Sequence, residues 1–86
     1  MPTLTVNIEK ITKTANRWRH VNGYLSKGGV IVLHKQEANW RVQGWVNELR
    51  NPESWIPGCI AITETGDAYI AQGGNQQDGA ERWSPI

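Results

Sequence analysis

Hydrophobic and polar positions alternate at the start of the chain, where Leu4, Val6 and Ile8 interleave with Thr3, Thr5, Asn7 and Glu9. That period of two predicts a half-buried strand. Residues 13–16 read as a connection, and Arg17 to Leu25 as a second strand with Gly23 as a bulge or weak point. Lys27-Gly28-Gly29 then breaks the chain before the β-branched run Val30-Ile31-Val32-Leu33, so a hairpin is expected across it. Glu37-Ala38-Asn39 reads as a second tight turn, followed by a strand through Trp40, Val42 and Trp45.

The alternation stops over residues 47–58, where Asn51-Pro52 and Pro57-Gly58 mark loops. A short helical turn of marginal length is expected over Val46–Arg50, because Glu48, Leu49 and Arg50 are good helix formers. A third hairpin is expected where Cys59–Thr63 and Ala68–Ala71 flank Glu64-Thr65-Gly66-Asp67, with Gly66 supplying a positive φ. Residues 72–86 form a polar, Gly-rich C-terminal segment, with Trp83 as the anchor that packs it back onto the sheet. The pattern as a whole predicts one mostly β domain spanning residues 1–86. Its expected form is a small antiparallel barrel or sandwich of five to six short strands. The alternative is an α+β fold in which residues 46–51 or 72–82 form one short helix.

Composition narrows this picture. An 86-residue chain buries only about 60% of its unfolded surface, so its core must be compact. Cys59 is the one cysteine, which excludes an intramolecular disulfide and points to a reducing, cytoplasmic setting. No apolar run approaches the roughly 18 residues that span a bilayer, and the N-terminus lacks the pattern of a secretory signal. No membrane partner is therefore expected. Five tryptophans, two tyrosines and no phenylalanine leave the tryptophans to serve either the core or a binding face.

Charge is distributed unevenly. Residues 1–41 hold seven Lys or Arg against two Glu, whereas residues 42–86 hold two Arg against six acids. Such asymmetry suits a basic face for nucleic acid, complementary faces for self-association, or charges that simply interleave in solvent.

Catalytic chemistry finds little footing. Cys59 opens an apolar strand, where a thiol is more often packed than reactive, and no local signature pairs it with His20 or His34. The same three residues lack the close ligand spacing of a metal site. Glu64 and Asp67 keep a hairpin tip soluble, and the glycines after Gln72 lack the residues of a phosphate cradle. The expectation is a protein without cofactor or metal that is not an enzyme; a small enzyme built on Cys59 is the least supported alternative.

Two binding readings follow. In the first, the chain is an interaction module that binds a protein partner, or itself as a homo-oligomer, through an aromatic patch of Trp45, Trp55, Ile56 and Trp83. Trp55-Ile56 lies in a Pro-bounded loop, which fits a partner contact or a plug over the end of a barrel equally well. In the second, Arg17, Arg19, Lys27, Lys35 and Arg41 bind single-stranded nucleic acid, with neighbouring tryptophans stacking on bases. Strand geometry offers a rival account of Arg17-Trp18-Arg19, with Trp18 inward and both arginines outward. Trp18 and Trp40 are accordingly assigned to the core.

Overall fold

The computed structural model describes residues 8–24, 28–36 and 39–86. The first element among the described residues is not a strand. Ile8–Val21 form a helix, α1, so the alternation that ended at Ile8 did not continue. Ile8, Ile11, Ala15 and Trp18 recur at three- and four-residue spacing, and Ile11 and Ala15 are fully buried on that stripe. Residues 1–7 of the expected first strand lie outside the described residues. Glu9 in the first turn and Arg19 and His20 in the last complement the helix dipole. Thr14 Oγ1 donates to the Lys10 carbonyl at 3.0 Å, which accommodates a residue of modest helix propensity.

Where a second strand is expected over Arg17–Leu25, residues 17–21 are the end of this helix, and Leu25 lies outside the described residues. Gly23 is not a bulge but a left-handed C-terminal cap, at φ 74°. Tyr24 N–H returns to the Arg19 carbonyl at 2.7 Å and Gly23 N–H to the His20 carbonyl at 3.4 Å, the paired bonds of a Schellman motif. The Tyr24 ring then packs on Trp18, 4.9 Å between centroids. In consequence Gly28 and Gly29 join a helix to a strand, not two strands of a hairpin.

Five strands follow: β1 (Val30–Gln36), β2 (Asn39–Val46), β3 (Ile60–Thr63), β4 (Ala68–Gln72) and β5 (Arg82–Pro85). They form one antiparallel sheet in the order β2-β1-β3-β4-β5. The protein is mostly β, as its pattern predicts, but the sheet is open and does not close into a barrel, because β2 and β5 stand at opposite edges. Residues 37 and 38 of the expected turn lie outside the described residues; their flanks Gln36 and Asn39 are paired. The β3–β4 hairpin matches its prediction. Its turn is held by Thr63 Oγ1, which accepts from Asp67 N–H at 3.0 Å.

Both faces of the sheet are covered, which explains the continuous apolar runs of β1 and β3. On one face Ile31, Leu33, Ile60 and Ile62 meet Ile11 and Ala15 of α1. On the other, Val30, Val32, Ala61, Ala71 and Cys59 lie beneath Leu49, Trp55, Ile56 and Trp83. Small residues on this second face leave room for the two indoles, and Gly44 of β2 lies directly under the Trp55 ring. The helical turn expected at Val46–Arg50 does not form. A single 3-10 turn occurs instead at Pro52–Ser54, after Asn51 adopts a left-handed conformation at φ 52°. Helical backbone is disfavoured before proline, which displaces the turn past residue 51.

The polar segment after Gln72 is ordered by Asn75, whose Oδ1 accepts from Gln77 N–H at 2.9 Å and Asp78 N–H at 2.8 Å. Ala80 N–H then bonds the Trp55 carbonyl at 2.8 Å and leads the chain into β5, where Trp83 lies opposite Ala71.

Candidate functional site

The α1 side of the sheet carries an aromatic ladder. Trp18, Tyr24 and Trp45 are stacked in tilted contacts, with 4.9 Å between the first two ring centroids and 5.5 Å between the second two. Beneath the ladder lies a polar latch. Arg19, only 4% exposed, donates from Nη1 to the Gly28 carbonyl at 2.6 Å and from Nη2 to the Gly29 carbonyl at 2.9 Å. The Trp45 indole N–H donates to the same Gly28 oxygen at 2.9 Å. Burial pulls the Arg19 guanidinium below its ordinary pKa, and the negative charge of Glu64 works in the opposite direction. Glu64 is therefore more than a soluble hairpin tip, since its carboxylate lies beside Gly28.

This latch fixes the last turns of α1 alongside β2 and leaves an open groove of about 440 Å³ between them. Arg17, Trp18 and Val21 form the helical wall; Arg41 and Val42 form the strand wall. Val21 is 70% exposed, the largest exposure of any bulky apolar side chain among the described residues. Asn22 and Gln43, which also border the groove, are tied to local backbone carbonyls, those of Trp18 at 2.9 Å and Arg41 at 3.4 Å. Arg17 and Arg41 differ from these. Among the described residues neither takes part in an ion pair, and both are exposed. The site thus offers an apolar surface of Trp18, Val21 and Val42 with two exposed arginines at its border, Arg17 on the helix and Arg41 on the strand.

The residues expected to bind a partner do not form one patch. Trp45 pairs with Ile31 and faces α1, whereas Trp55, Ile56 and Trp83 pack together on the opposite face. Trp83 donates its indole N–H to the Arg50 carbonyl at 3.4 Å. All four are half-buried. A recess of about 170 Å³ beside Trp55, bordered by Asn51 and Ser54, is already bridged by the Glu48–Arg50 ion pair at 2.8 Å.

The five expected nucleic-acid ligands are divided as well. Arg17 and Arg41 meet in the groove, and Lys35 is exposed on β1 opposite Trp40. Arg19 is buried, and its guanidinium is committed to backbone carbonyls. That outcome overturns the strand-based placement of Arg19 outward, because a helix turns residues 18 and 19 by only about 100° and lets both face the sheet. Lys27 lies outside the described residues. Trp18 and Trp40 are half-buried against the core that α1 covers.

Cys59 is buried, and desolvation pushes its thiol pKa up, with a smaller opposing effect from a backbone hydrogen bond to Ile56. Raised in the folded state, this thiol contributes stability below its unfolded pKa of about 8.5. That contribution is lost as pH rises through the folded value. Urea titrations are expected to show an alkaline decline that Cys59→Ala removes, and alkylation by iodoacetamide should be slow until denaturant is added. Rapid alkylation of the native protein at pH 8 would contradict this burial. Among the described residues, no group of histidine, cysteine and carboxylate side chains is placed to hold a metal ion. No helix among them is long and apolar enough to cross a membrane.

No protein-family model matches the chain, and neither curated proteins nor solved structures yield a significant match.

Proposed function

We propose that this protein is a non-catalytic interaction module that binds an acidic segment of another protein in the groove between α1 and β2. The carrying observation is the pair Arg17 and Arg41, both exposed, both without an ion pair among the described residues, and both bordering a groove whose apolar lining is Trp18, Val21 and Val42. Guanidinium groups recognise carboxylates through two parallel hydrogen bonds, and an apolar floor adds affinity where a ligand side chain displaces water. The non-catalytic reading is supported by the burial of Cys59, where desolvation raises the thiol pKa and disfavours the thiolate.

Single-stranded nucleic acid is less well served. The rings of Trp18 and Trp45 are already occupied by Tyr24, and Arg19 is withdrawn from the surface. Self-pairing of two copies along β2 would bring like charges from Arg17 and Arg41 together at one seam, which disfavours it. The half-buried group of Trp55, Ile56 and Trp83 serves the second core layer as a plug.

A suitable probe is an acetylated, amidated heptapeptide that alternates Glu and Val, titrated calorimetrically. Saturable binding that weakens with salt is expected, as is a loss of at least about tenfold in affinity for the doubly reversed variant Arg17→Glu/Arg41→Glu. Both positions are exposed, so the fold should tolerate the change within about 0.5 kcal/mol. Unchanged affinity in that variant would overturn the proposal. Tighter binding of an oligothymidylate than of the peptide would replace it with the nucleic-acid reading.

A further inference from the structure

The geometry points to strand addition as the mode of binding: the acidic partner segment enters the groove in extended form and becomes a sixth strand on the outer edge of β2. This rests on the groove being the binding site. β2 is an edge strand, hydrogen-bonded on one side to β1, and among the described residues no other segment pairs with it. Its outer main-chain N–H and C=O groups form a template for another chain.

The two edges of the sheet are not equivalent. β5 is four residues long and ends in Pro85, which lacks an N–H and blocks a ladder. β2 is eight residues long, and its irregularity is confined to one place. Val32 pairs with Gly44 and Leu33 with Val42, so Gln43 is an extra residue without a partner on β1. The bulge interrupts the edge at Gln43 and leaves Asn39–Val42 as a regular run. That run ends at Arg41 and Val42, the strand wall of the groove. A segment paired there passes between Arg41 and the helical wall that holds Arg17, Trp18 and Val21.

An extended ligand presents side chains alternately to two sides. One set of its residues packs toward Val21 and Trp18, and the other set, on the opposite side of the strand, carries its carboxylates to Arg41, which alternates with Trp40 and Val42 and so lies on the face away from α1. This charge complementarity names the occupant as an acidic, alternating segment of a different protein. A helical ligand would leave the edge of β2 unpaired and would engage only the arginines.

Backbone N-methylation separates these modes. In strand addition, the amides of alternate ligand residues point at β2 and those of the remainder point to solvent. Two versions of the Glu-Val heptapeptide are therefore titrated by calorimetry, one N-methylated at its Val amides and the other at its Glu amides. The inference predicts that one version loses at least tenfold in affinity while the other stays within about threefold of the parent. Amide exchange within Asn39–Val42 should also slow when the parent peptide binds. Equal effects of the two methylation patterns, with the parent still bound, would overturn strand addition and leave the groove reading intact. Failure of the parent peptide to bind would overturn both.

Discussion

Arg19→Ala is expected to destabilise the protein by about 3 kcal/mol. Hydrogen bonds to a charged group contribute about 1.5–3 kcal/mol each, and buried Arg19 makes two of them to half-buried carbonyls. Part of that gain is offset in the native protein by the cost of burying the cation, which also pulls the guanidinium pKa down. The Gly28 oxygen keeps the Trp45 indole after the substitution, whereas the Gly29 oxygen loses its side-chain donor. Domains of this size are stable by about 0.05–0.15 kcal/mol per residue, so such a loss removes a large share of the total. The melting temperature should fall by about 12–24 °C. Arg19→Lys should recover less than half, because an ammonium group cannot span two carbonyls in the manner of the planar fork. Urea denaturation of the three proteins measures both effects. A loss below 1 kcal/mol for Arg19→Ala would mean the latch does not hold α1 to the start of β1.

Gly79→Ala is expected to cost as much or more, through the opposite face of the sheet. Gly79 has φ 84°, a conformation that costs an alanine about 1–2 kcal/mol. The added Cβ would also run into the carbonyl of Glu53, a backbone atom that cannot rotate away. Relief requires the 73–81 segment to separate from the Pro52–Ser54 turn, with loss of the Ala80–Trp55 backbone bond and of the packing of Ala80. A total near 3–4 kcal/mol is expected from strain and overpacking together. Gly66→Ala provides the internal control. Its φ is also positive, at 90°, but its Cβ would meet nothing within 4 Å, so it should lose only the conformational part. Denaturation midpoints of the two variants should differ clearly; equal losses would show that contact with Glu53 is unimportant.

The sheet was more legible than the helix, for physical reasons. β1 and β3 open with short runs of β-branched and apolar residues that follow Gly29 and Gly58, and burial on both faces demands that pattern. The β3–β4 turn was readable because Gly66 and Asp67 supply specific turn chemistry. The α1 segment carried two overlapping periods. Leu4, Val6 and Ile8 suggest a strand, whereas Ile8, Ile11, Ala15 and Trp18 suggest a helix. Thr12, Thr14 and Val21 lower its helix propensity, and packing against Ile31 and Leu33 decides the outcome. Gly23 followed by Tyr24 was the available signal, because a glycine after a three-and-four pattern marks a helix stop.

The groove was less legible than the fold. Arg17 and Arg41 belonged to the basic set, but nothing local distinguished them from Arg19, whose charge is buried. Their pairing depends on α1 lying over β2, which follows from the helix that the opening alternation obscured. Trp45 and Trp55 both looked like binding residues. Their separation to opposite faces depends on the register of β2, including the extra residue Gln43. Partner-facing and core-facing tryptophans carry the same sequence signature, and here packing claims part of every ring.

The groove also explains the uneven charge along the chain. The two guanidinium groups left without ion pairs at the groove both come from the basic half. Two acidic groups of the other half are paired locally, Glu48 with Arg50 and Glu81 with Arg82, while Glu64 acts on buried Arg19. These exposed pairs add little stability. If the groove binds an acidic partner as proposed, Arg17 and Arg41 would also speed the encounter.

Chemical-shift mapping of the ¹⁵N-labelled protein with the Glu-Val heptapeptide tests that account most directly. Saturable shifts confined to Thr14–Asn22 and Asn39–Gln43 are predicted, with the Trp45 indole following more weakly through Tyr24. Shifts centred on Trp55, Ile56 and Trp83, or none at millimolar peptide, would contradict the assignment of the groove as the binding site.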